Sequence, residues 1–96
     1  MKADTLLHLA AETGNENVIR LLLGGKTDTS LVNDDGDTAL HIAAQWSHTQ
    51  VVKELLVAKS DISIANKQGQ TARDVALEYK HLEVVRLIDS FTSKPV

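Results

Sequence analysis

Apolar residues fall in short clusters at helical spacing, separated by polar stretches. Leu40, Ala43 and Ala44 stand at i, i+3 and i+4, and Val51, Val52, Leu55 and Leu56 take up a similar spacing a few residues later. Each cluster therefore lays one apolar stripe along a short helix. Thr38 directly precedes the first cluster, where its hydroxyl is placed to accept one of the orphaned amides of a helix N-terminus. Ser47-His48 marks a turn between the clusters. Residues 59–70 are polar, carry Asn, Asp and Gly turn signals, and read as an extended loop instead of a third helix. The predicted unit is a first helix of about eight residues, a turn, a second helix and a long loop.

The unit recurs. Thr5-Leu6-Leu7-His8-Leu9-Ala10-Ala11 returns as Thr38-Ala39-Leu40-His41-Ile42-Ala43-Ala44, and more weakly as Thr71-Ala72-Arg73-Asp74-Val75-Ala76-Leu77, an offset of 33 residues both times (5 to 38, 38 to 71). Without a gap, Val18-Ile19 falls on Val51-Val52 and Val84-Val85, Leu22-Leu23 on Leu55-Leu56, Asp28 on Asp61, Asn33 on Asn66 and Gly36 on Gly69. Gly14-Asn15 and Lys80-His81 take the place of the turn, and residues 26–37 that of the loop. Asp74 stands three residues after Thr71, the spacing of a capping box. Helices this short are marginal alone in water, so each unit must borrow its core from the next by stacking.

Gly36-Asp37-Thr38-Ala39-Leu40-His41-Ile42-Ala43-Ala44, followed by Val51-Val52 and Leu55-Leu56, resembles the ankyrin repeat, a family with a 33-residue period. The resemblance spans about residues 4–87 as roughly three units. It implies an all-α solenoid of stacked helix-turn-helix units, with projecting hairpin loops as fingers and first helices lining a concave surface. A single domain at 4–96 follows: repeat 1 at about 4–36, repeat 2 at about 37–69, a C-terminal capping repeat at about 70–92, and a tail at 93–96. The same resemblance implies that His8 and His41 hydrogen-bond near the base of a finger.

Departures from the pattern carry their own expectations. The family favours proline after the threonine, where Leu6, Ala39 and Ala72 stand here, so the first turn is less pre-organised. It favours glycine after the second helix, where Lys26 and Lys59 stand; a left-handed lysine costs about 1–2 kcal/mol. Gly24-Gly25 offers the first unit a shifted cap, which leaves Lys59 as the weak point. Arg73 and Asp89 replace the apolar Leu40 and Leu56, as suits an outer face that meets water. Leu6, Leu9 and Leu21 keep the first unit apolar, so further repeat material before Thr5 is expected.

Composition narrows the chemistry. The 96 residues include no cysteine, which removes disulfides and thiolate metal sites, and one proline with 3% aromatics fits packed helices better than a β sandwich. Ten Lys and Arg against thirteen Asp and Glu give a net charge of −3 with no basic cluster, which disfavours nucleic acid. No window has the roughly 18 apolar residues of a membrane span, and the N-terminus lacks the form of a signal peptide. Those readings point to an intracellular protein, cytoplasmic or nuclear, that is monomeric or part of a longer chain. The four histidines show neither i, i+4 pairing nor a His-Glu-x-x-His arrangement; His48 and His81, just past the interhelix turn, read as helix caps. No cofactor, metal or catalytic group is expected.

Residues that the repeat does not require carry the functional reading. Glu12-Thr13, Gln45-Trp46 and Glu78-Tyr79 occupy equivalent positions expected to face the concave side, which places Trp46 and Tyr79 near one another, either as partner contacts or as core between repeats. Asp34, Asp35 and Asp37 surround Gly36 in one finger, and Lys67, Gln68 and Gln70 surround Gly69 in the next. An acidic rim around an aromatic centre suits a partner protein with a basic segment, although Asp beside Gly also serves turns for local reasons. The function read from the chain is non-enzymatic protein binding, with a structural spacer or assembly segment of a longer repeat protein as the alternative.

Overall fold

Three helix pairs run along the chain in the computed structural model, which describes residues 5–92. They are α1 (Leu6–Thr13) with α2 (Glu16–Gly24), α3 (Ala39–Gln45) with α4 (Thr49–Val57), and α5 (Ala72–Glu78) with α6 (Leu82–Thr92). No strand occurs among the described residues, and the start expected at Asp4 and the tail expected at 93–96 lie outside them.

Each first helix starts on a capping box. Thr38 Oγ1 accepts the His41 N–H at 3.3 Å, while His41 Nδ1 accepts the Thr38 N–H at 3.0 Å. Thr5 with His8 and Thr71 with Asp74 repeat the arrangement. Histidine thus does the work that Glu or Gln usually does, and the box expected only in the third unit is present in all three.

Stacking builds the core. First helices pack in the row α1, α3, α5, and second helices in the row α2, α4, α6. Ala11, Ala43, Ala44 and Ala76 are completely buried, so the first helices approach closely; Ile19, Leu40, Leu55 and Ile88 fill the space between the rows. Each such large side chain contributes about 1.5–3 kcal/mol by leaving water. The result measures 40 × 29 × 19 Å.

At the C-terminal end the two polar replacements meet. Arg73 donates to both Asp89 carboxylate oxygens, at 2.7 and 3.1 Å, and these bonds hold the Asp89 carboxyl below its usual pKa. At the other end Leu6, Leu9 and Leu21 remain exposed.

Two expectations about helix ends are corrected. Lys26 is left-handed, φ 63°, just like Lys59 at φ 64°, so the glycines before Lys26 do not shift the first cap. Gly25 has φ −87° and already accommodates the end of α2 by donating its N–H to preceding carbonyls, which leaves the left-handed step to the next residue. His48 sits at the start of α4 but makes no capping bond. Its Nε2 donates instead to the Glu12 carbonyl of the preceding unit at 2.9 Å, and His81 does the same to Gln45 at 3.0 Å. Ring length explains this: the imidazole reaches past its own helix to a neighbour.

Candidate functional site

Both fingers are built by an asparagine. In the second, Asn66 Oδ1 accepts the Gln68 and Gln70 amides at 3.0 and 2.9 Å, and Asn66 N–H donates to the Gln70 carbonyl at 2.8 Å. Asn33 closes the first finger on Asp35 and Asp37 in the same way. The fingers are then tied to the helices. His8 Nε2 donates to the Asp37 carbonyl at 2.7 Å and His41 Nε2 to the Gln70 carbonyl at 2.8 Å. Because each Nδ1 already accepts a threonine amide, the ring proton sits on Nε2, and one buried imidazole fixes a helix start and a finger base together.

Neighbouring fingers are also joined. Lys67 N–H donates to the Asp35 carbonyl at 3.1 Å, and Asn66 Nδ2 donates to the Asp37 carboxylate at 2.9 Å. Gly36 makes this approach possible. Its φ is 77°, and a Cβ there would come within 2.8 Å of the Lys67 backbone nitrogen.

Between the fingers and α3 and α5 lies a cleft of about 360 Å³, lined by Asp35, Asp37, Gln45, Lys67, Gln68, Gln70, Glu78 and Tyr79 together with His41, Asn66 and Val75. Glu78 accepts a hydrogen bond from Gln70 Nε2 at 2.5 Å across the cleft mouth. Three carboxylates against one lysine make it electronegative. A smaller cleft of about 180 Å³ adjoins it, sharing Asp35, Asp37 and Gln45 and adding Glu12, Asn33, Ile42 and Trp46. Asp34 is exposed and lines neither cleft.

Trp46 is 53% exposed and Tyr79 48%, so neither is core. The two rings line different clefts: Tyr79 stacks on His81, with centroids 6.1 Å apart and planes 14° from parallel, while Trp46 ends α3 beside the first finger. The sequence reading missed His41, Asn66 and Val75 as cleft residues. Asn66 carried a signal, its recurrence from Asn33, but its place in a cleft depends on how two units meet.

Among the described residues no group of three or more His, Asp or Glu is arranged to hold a metal ion. No helix among them is long and apolar enough to cross a membrane. A family model of three ankyrin repeats matches residues 3–94. No curated protein matches the chain.

Proposed function

Because the chain belongs to the ankyrin-repeat family, whose repeats generally serve as protein–protein interaction modules and are typically non-enzymatic, we propose that it captures a partner protein carrying a basic segment in the cleft between fingers and first helices. The observation that carries this reading is the gathering of Asp35, Asp37, Gln45, Lys67, Gln68, Gln70, Glu78 and Tyr79 around one concavity. Tyr79 in this cleft and Trp46 in the adjoining smaller one supply rigid contact area at small entropic cost. Asp35, Asp37 and Glu78 supply orientation and on-rate for a cationic segment. The hydrogen-bonded fingers hold these groups in place before the partner arrives, so the partner bears most of the ordering cost.

Amine-reactive crosslinking in native extract, read by mass spectrometry, tests the proposal. Lys67 lines the cleft, whereas Lys53 lies exposed on α4. Partner crosslinks are expected at Lys67, and Trp46→Ala with Tyr79→Ala should reduce capture at least tenfold while circular dichroism stays native, as truncation of hot-spot aromatics does. Crosslinks confined to Lys53, or undiminished capture by the double variant, would refute it.

A further inference from the structure

The two adjoining clefts are one site built twice. Every residue lining the smaller cleft has its counterpart, 33 positions on, in the lining of the larger. Trp46 thus corresponds to Tyr79, Glu12 to Gln45, Asp35 to Gln68 and Asp37 to Gln70. Position is repeated, but chemistry is not.

The smaller copy gathers Glu12, Asp35 and Asp37 with no cation in its lining. At the same positions the larger copy offers the neutral amides of Gln45, Gln68 and Gln70. Asp35 and Asp37 also border the larger cleft, but Lys67 offsets them there, and the carboxylate of Glu78 is already bonded to Gln70. A cation therefore gains most in the smaller copy. Trp46 decides which cation: a half-exposed indole beside carboxylates favours a guanidinium, which stacks on the ring while its planar fork pairs with a carboxylate. The larger copy suits a neutral amide side chain, which its glutamines match donor to acceptor.

Stacking sets the spacing. First helices that meet on buried alanines lie about 8–10 Å apart, and equivalent points of the two copies are separated accordingly. A polyproline II segment has three residues per turn at about 3.1 Å each, so residues i and i+3 face the same way about 9 Å apart. In a β-strand same-facing residues fall about 7 or 13 Å apart. An α-helix, about 10–12 Å across, is too broad for a cleft of about 180 Å³.

Resting on the capture of a basic partner in these clefts, we propose that the bound segment is a polyproline II stretch of that partner. It sets an arginine against Trp46 and, three residues away, a glutamine or asparagine against Tyr79. Both chain directions satisfy the spacing, so the probes take both orders.

Capped Gly-Arg-Pro-Pro-Gln-Gly and Gly-Gln-Pro-Pro-Arg-Gly peptides, titrated into the isotope-labelled full chain, are followed by NMR at the indole N–H of Trp46, the only tryptophan, and at the Tyr79 amide. The tighter peptide should shift both signals. Removing or adding one proline should weaken it at least about tenfold, because the two side chains then cannot engage together. Exchanging one charge between the copies, Asp35→Gln with Gln68→Asp, tests the assignment at constant net charge. Both positions are exposed and serve the fingers through backbone groups, so circular dichroism should stay native. The exchange should weaken the tighter peptide about two- to fivefold and reduce the indole shift. Equal affinity at all three spacings, unchanged affinity after the exchange, or no shift at either signal would each overturn the proposal. None of these outcomes decides the broader reading: partner crosslinks at Lys67 alongside peptides blind to spacing would mean a basic partner bound in another manner.

Discussion

Lys59 holds φ at 64°, a conformation in which its Cβ crowds the following carbonyl. Lysine 59 is exposed, so nothing in the core requires that side chain. Replacing it with glycine removes about 1–2 kcal/mol of strain and adds about 0.5–1 kcal/mol of lost unfolded-state freedom. Lys59→Gly should therefore stabilise by up to about 1.5 kcal/mol, raising the thermal midpoint by up to roughly 6–12 °C. Lys26, at φ 63°, should respond in the same direction. A fall in the midpoint of either variant would show that the cap tolerates lysine without strain. His41 shows the opposite case: it is buried, and both ring nitrogens are engaged, so its side chain cannot be replaced without leaving groups unpaired.

Among the elements, the fingers depend most on a single atom's absence. Gly36 and Gly69 have nearly the same φ, 77° and 78°, but an added Cβ meets the Lys67 backbone at Gly36 and open space at Gly69. Both alanine variants pay about 1–2 kcal/mol for the left-handed conformation, whereas Gly36→Ala must also separate two backbones. Denaturant melts should show a loss of roughly 2–4 kcal/mol for Gly36→Ala against roughly 1–2 kcal/mol for Gly69→Ala. Amide exchange at Lys67 should accelerate only in the former. Equal losses would mean that the contact between fingers contributes nothing.

Across the whole molecule, identical positions take different environments according to their place in the stack. Leu40 is 2% exposed, while Arg73, its counterpart, reaches water and pairs with Asp89. That pair is worth little in itself, being exposed. Leu40→Arg should place an unpaired charge inside the stack and cost at least about 4 kcal/mol, a large share of the roughly 5–15 kcal/mol that holds a domain together. Thermal unfolding of Leu40→Arg checks this. A midpoint within a few degrees of wild type would mean that neighbouring units are less tightly coupled than their packing implies.

The period, the threonine caps and the apolar stripes were legible in the sequence because they are local. Each depends on residues within one helix or one turn, and a 33-residue repeat prints them three times. Most of the candidate cleft was legible too, since equivalent positions in a stack face the same way. Tertiary structure decided what depends on the offset between units. Trp46 and Tyr79 share a repeat position and line separate clefts, because each cleft is the same junction of finger and first helix one unit further along. His48 and His81 look like caps in one dimension and are links between units in three. Asn66 enters the cleft because its amide reaches Asp37 in the neighbouring finger. Hydrophobic spacing specifies that units stack; only the packed interface sets which carbonyl, ring or carboxylate each side chain meets.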